Sequence, residues 1–162
     1  MKTFSRLIVT IASVALLSFG ASAQSYNTAI GGRVGGQTSG LTIRQFTNSN
    51  TALEGIVSFG HKSFLVTGLY EKFVSIGNSP GFSWFYGIGG HVGFFGPDSY
   101  YYNNGRVYDR NTTVVGLDGI LGLDYKIRNA PINIGIDIKP FVDFDNGANF
   151  IGDGAINLRF VF

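Results

Sequence analysis

The chain has no cysteine, two histidines, one methionine and one tryptophan, and only 14% of its 162 residues are charged, against about 25% in an ordinary soluble domain. Each shortage excludes something. Without cysteine there is no disulfide framework, no thiol chemistry and no cysteine-zinc site. With His61 and His91 alone, catalytic and metal-binding constellations built on imidazole are few, and neither a phosphate loop nor a paired metal spacing occurs, so no cofactor and no metal is expected. Helical periodicity is missing as well. The longest stretch without Asp, Glu, Lys or Arg, Phe73 to Pro97, could span a membrane by length, but Gly77, Pro80, Gly81, Gly87, Gly89, Gly90 and Gly93 argue against a helix there.

What is present begins with a leader. Lys2 and Arg6 open it, Leu7 to Phe19 is apolar, and Ala21-Ser22-Ala23 offers a small-residue cleavage site, so residues 1–23 are expected to be a signal peptide. The apolar stretch is shorter than the roughly 20 residues that a transmembrane helix requires. No Cys follows the cleavage site, which excludes a lipid-anchored lipoprotein. Cleavage leaves residues 24–162, 162 − 23 = 139 residues, enough for one domain. It also takes Lys+Arg from 12 to 10 against 10 Asp+Glu. The remaining chain is formally neutral, and no argument for nucleic acid as a partner survives.

Glycine, at 24 residues, and aromatics, at 15%, are abundant. Alternation of apolar and polar residues recurs eight times, over roughly 25–36, 41–47, 51–60, 63–74, 82–95, 112–127, 131–143 and 149–162. In the fifth segment Trp84, Tyr86, Ile88, Val92 and Phe94 share one face, and Gly87, Gly89, His91 and Gly93 the other. The sixth sets Val115, Leu117, Leu121, Leu123 and Tyr125 against Asp118, Asp124 and Lys126, and the seventh sets Ile132, Ile134, Ile136 and Ile138 against Asn133, Asp137, Lys139 and Asp143. The second and fourth segments alternate less cleanly. An even count of such strands predicts an all-β fold, an eight-stranded antiparallel up-and-down transmembrane β-barrel.

Which face meets solvent decides the class. A soluble ligand-binding barrel of the periplasm would turn its apolar side inward. Here the polar side is mostly Gly, Asn, Ser and a few charges, too sparse to solvate a barrel's outside, so the apolar side is expected to face lipid. The inward parity then collects Arg33, Arg44, Lys126, Lys139 and Arg159 with Glu54, Glu71, Asp118, Asp124, Asp137, Asp143 and Asp153. An eight-stranded bore is just wide enough for side chains to fill. These groups are therefore expected to pair into a plug, with a proton or ion path as the alternative.

Three further constellations stand out. Tyr26, Phe46, Phe59, Phe64, Tyr70, Phe82, Trp84, Phe94, Tyr125, Phe160 and Phe162 fall at depths suited to an aromatic girdle. The loop from Gly96 to Asn111 carries Tyr100, Tyr101, Tyr102, Arg106 and Tyr108, a composition suited to surface recognition or, alternatively, to a hairpin capping the rim. His61 and Ser63 stand two residues apart at a turn, the minimum for a base and a nucleophile, though Glu71 lies too far along its strand to orient the imidazole.

The closing segment shows Ile156, Leu158, Phe160 and Phe162 on one face and Asn157 and Arg159 on the other. With the leader and the eight alternating segments, it resembles the small eight-stranded outer-membrane barrels of Gram-negative bacteria, of the outer membrane protein A and X type. The Gly- and aromatic-rich style is most similar to the compact barrels of Bacteroidota. The resemblance implies outer-membrane lipid as surroundings and a transient partner, the barrel-assembly machinery, reading Ile156 to Phe162. It also implies a non-enzymatic structural or surface-interaction role, with an envelope protein as a further partner. Some outer-membrane lipid A deacylases use a His-x-Ser pair, which makes His61 and Ser63 the enzymatic alternative.

Overall fold

The computed structural model describes residues 27–77, 80–100, 107–145 and 147–162; the expected leader and Tyr26 lie outside them. Ten strands follow in order: β1 (Thr28–Gly35), β2 (Ser39–Asn48), β3 (Thr51–Gly60), β4 (Ser63–Ser75), β5 (Phe82–Phe95), β6 (Ser99–Tyr100), β7 (Val107–Tyr108), β8 (Thr112–Lys126), β9 (Ile132–Phe144) and β10 (Ala148–Val161). Eight of them close an antiparallel barrel in the order β1-β10-β9-β8-β5-β4-β3-β2, while β6 and β7 form a separate small hairpin. Each barrel strand pairs with its sequence neighbours. β10 returns to β1 from Ala29↔Val161 to Gly35↔Ala155, so no strand edge is left open.

Turn chemistry explains the short connections. Lys62 takes a left-handed conformation (φ 52°) in the two-residue turn between β3 and β4, and Asn129 does so (φ 63°) between β8 and β9. The second and fourth segments, the least regular in sequence, run longer than expected, to 39–48 and 63–75. In β2 the cause is a register shift between Phe46 and Asn48, which breaks the alternation there. The turns at 49–50 and 127–131 and the described residues 76–77 and 80–81 share one end of the barrel with Asn27 and Phe162, the terminal end. The turns at 36–38 and 61–62, the described residues 145 and 147, and the described loop residues 96–100 and 107–111 share the other, the loop end.

Period-two alternation sends every barrel carboxylate inward: Glu54, Glu71, Asp118, Asp124, Asp137, Asp143 and Asp153 are all buried, as are Arg33, Arg44, Lys139 and Arg159. Leu121, Ile134, Ile138 and Leu158 stand on the outside, Leu158 at 59% exposure. A barrel with reversed faces is therefore not what this sequence forms.

The interior holds more than charge. Ala52, Ile56, Leu69, Phe73, Phe85 and Ile120 make an apolar cluster toward the terminal end, and Leu65, Phe95, Tyr108, Val114, Phe141 and Ile151 another toward the loop end. The inner face, expected to be mostly Gly, Asn, Ser and a few charges, thus also carries two apolar clusters. Room for these rings comes from glycines: a Cβ at Gly122 would lie 2.5 Å from the Phe85 ring, and one at Gly116 would lie 2.3 Å from the His91 ring. Phe46, expected in the girdle, instead turns inward against Phe73 with ring centroids 4.9 Å apart. Its parity is that of Arg44, not of the outer wall.

Candidate functional site

Two polar clusters occupy the bore in series. The one nearer the terminal end is built around Arg44, carried inward by β2. Its guanidinium meets Glu54 from β3 at 2.7 Å, Glu71 from β4 at 2.8 Å and Asp124 from β8 at 2.9 Å. Arg159 from β10 adds a second cation, donating to Glu54 at 2.6 Å, with Asp124 at 3.8 Å. Thr42 and Asn133 donate to Glu54 and Asp124 respectively. The rings of Phe73 and Phe85, stacked on each other at 5.1 Å, lie beside the Arg44 guanidinium at 4.9 and 4.7 Å, so its charge is bordered by an aromatic pair as well as held by oxygens.

The cluster nearer the loop end has two parts. Arg33 bridges Asp137 at 2.8 Å and Asp153 at 2.9 Å and donates to the Thr38 carbonyl and hydroxyl, both at 2.7 Å. Thr38 donates to Asp153, and Asn157 donates to Asp137 at 2.7 Å. Beside it, Lys139 donates to Asp118 at 2.8 Å and lies 4.3 Å above the centre of the Phe141 ring. His91 has Asp118 at 2.7 Å from Nδ1 and Asp143 at 3.0 Å from Nε2. Carboxylates only accept, so donors on both sides require a doubly protonated imidazolium. Counted that way, the bore holds seven carboxylates against Arg33, Arg44, Lys139, Arg159 and His91.

The structure thus brings together every expected interior charge except Lys126. That side chain sits at the terminal rim, where it donates to the carbonyls of Ile127 and Ala130 at 3.1 and 2.6 Å. Thr38, Thr42, Phe73, Phe85 and Phe141 complete the clusters and were not singled out in the sequence. Parity was the signal that could have found the rings, since Phe73 follows Glu71, Phe85 precedes Gly87, and Phe141 falls between Lys139 and Asp143 on the inner side.

The other candidate residues do not converge. His61 is exposed in its turn, with its ring 5.4 Å from that of Tyr100, and Ser63 is half-buried at the start of β4. Among the described residues no carboxylate is hydrogen-bonded to His61, and Glu71 is committed to Arg44. Tyr100 is displayed at the loop end, but Tyr108 is not. The β6–β7 hairpin folds the Tyr108 ring back over the barrel mouth, stacked on Phe95 at 4.4 Å and 5% exposed. A ring committed to covering an apolar mouth is not free for recognition. Tyr101, Tyr102 and Arg106 lie outside the described residues.

On the closing strand, Ile156, Leu158, Phe160 and Phe162 all face outward, with Asn157 and Arg159 inside. No charged group and no metal-ligating cluster of three His, Asp or Glu adds a further centre in the bore among the described residues. Compared with protein-family models, curated proteins and solved structures, the chain matches none, and its function rests on this geometry.

Proposed function

We propose that the chain is an outer-membrane β-barrel with a plugged lumen, of the small outer membrane protein A and X type, acting as a structural and surface-interaction element and not as an enzyme. One observation carries the reading: among the described strand residues facing outward, Lys72 is the sole charged one, while all seven barrel carboxylates face inward. A wall of exposed Ile, Leu, Val and Phe costs free energy in water and none in hydrocarbon. The dimensions agree. From Trp84 to Phe94 on β5 is ten residues, which at about 3.3 Å each and a tilt of about 40° rises roughly 25 Å, the height of the apolar band of such barrels. Outer-membrane lipid is then the surroundings, the barrel-assembly machinery the transient partner at Ile156 to Phe162, and the loop end the face offered to other envelope or surface molecules.

The test is fractionation with gel mobility. Detergent-extracted protein from the outer-membrane fraction is expected to migrate faster unheated than boiled. A protein recovered in the periplasmic extract with no such shift overturns the proposal. For the enzymatic alternative at His61 and Ser63, no acid orients the imidazole among the described residues. Lipid A from cells with and without the protein is expected to show the same acyl pattern; loss of a chain that His61→Ala abolishes would overturn the non-enzymatic part.

A further inference from the structure

The two ends of the outer wall differ in kind. Toward the loop end the outward rings are all phenylalanine: Phe59, Phe64, Phe94, Phe144 and Phe150. Every outward tyrosine and the tryptophan of the described barrel strands, Tyr70, Trp84, Tyr86 and Tyr125, sit in the terminal half. The one outward cation of the described barrel strands is there too: Lys72 is exposed and stands directly across from Tyr86. Trp84 and Tyr86 stack at 5.3 Å, and Phe82 lies 6.1 Å from Tyr125.

Charge follows the same division. The turns 49–50, 76–81 and 127–131 contain no Asp or Glu, and Arg128 is exposed in the last of them. Neither Lys72 nor Arg128 pairs with a carboxylate among the described residues. At the loop end, by contrast, Asp98, Asp109 and Asp145 accompany Lys62 and Arg110 among the described residues, and Lys62 pairs with Asp98 at 3.0 Å. Among the described side chains, one end carries acids and bases together, and the other carries bases without acids in its turns.

We infer that the terminal end of the wall is a docking surface for the phosphates of anionic glycerophospholipid headgroups, with Lys72 and Arg128 as the phosphate-facing cations. Trp84, Tyr86 and Tyr125 seat it at the boundary, since rings with a polar tip settle where hydrocarbon meets water. Lys72 can run its methylene stem along the wall and carry its ammonium outward to that level. The surface gives the barrel a sidedness: the leaflet exposing anionic phosphate takes the terminal end, and the phenylalanine end takes the other. This inference rests on the membrane reading.

The experiment refolds the chain from urea into vesicles of phosphatidylcholine alone or mixed with phosphatidylglycerol at low salt, reading the folded fraction by the heat-dependent gel shift. Wild type is expected to fold more completely with phosphatidylglycerol, by about fivefold in partitioning per cation engaged, and added salt is expected to erase the gain. Combining Lys72→Gln with Arg128→Gln is expected to abolish the gain, and combining Lys62→Gln with Arg110→Gln to leave it intact. An equal gain in both variants, or none in a wild type that folds, overturns the inference and leaves the membrane reading standing. A wild type that folds into neither vesicle overturns both.

Discussion

Arg44 shows how a single residue organises this interior. Its guanidinium has donors for three carboxylates and borders the stacked pair Phe73 and Phe85, and it is fully buried. A lysine could not fork across Glu54, Glu71 and Asp124 with a planar guanidinium's spread of donors, so Arg44→Lys is not a conservative change here. Removing the charge leaves three carboxylates facing two fewer donors in a region without bulk water. Arg44→Gln is therefore expected to lower the unfolding free energy by about 3–5 kcal/mol, read from urea titrations of the detergent-folded protein. Lys62→Gln, which breaks an exposed pair with Asp98, is expected to cost less than about 1 kcal/mol in the same assay. Equal costs would mean that the bore is hydrated enough to screen its charges. Gly122 belongs to the same unit, because it leaves the space that Phe85 fills beside Arg44. Gly122→Val is expected to destabilise by about 1–3 kcal/mol through overpacking, with no charge altered.

At the scale of a strand, β9 states the argument most simply: Ile132, Ile134, Ile136 and Ile138 outward, Asn133, Asp137 and Lys139 inward. Ile138 lies in the middle of the wall and Ile132 at its terminal edge. If hydrocarbon surrounds the barrel, Ile138→Arg is expected to destabilise by about 2–4 kcal/mol and Ile132→Arg by about 0–1 kcal/mol in bilayer unfolding measurements. A water-bathed wall would tolerate both. Such strands were legible because a two-residue period leaves no ambiguity once one face carries all the carboxylates: β5, β8, β9 and β10 lie within a residue or so of where alternation put them. β2 was less legible because its bulge after Phe46 shifts the register, and Phe46, which keeps the inward parity of Arg44, shows that an aromatic ring alone does not mark the girdle. Composition on each face was legible, but pairing was not. Nothing in spacing says that Arg33 bridges Asp137 and Asp153, 104 and 120 residues away, since closure of the sheet and its stagger decide which side chains share a level. Tyr108 failed for a related reason: a short hairpin can point a loop ring into the mouth or away from it, and the local sequence is the same in both cases.

For the whole molecule, the arrangement in series of the two clusters decides transport. Arg44 with its partners fills the bore toward the terminal end, and Arg33 and His91 with theirs fill it toward the loop end, each backed by an apolar cluster. An ion crossing the barrel would have to displace both, and every displaced group would leave a buried charge behind. The protein reconstituted in a planar bilayer is therefore expected to show no stepwise conductance. Because the obstructions are in series, opening one leaves the other: Lys139→Ala, which loosens the loop-end cluster at Asp118, is expected to stay non-conducting, and so is Phe85→Ala at the terminal-end cluster. Steady single-channel steps from the wild type would show that the charged groups exchange partners as an ion passes, and the clusters would then be a permeation path and not a plug. Silence from wild type and both single variants, with conductance only when both clusters are truncated together, is the outcome that two independent plugs require.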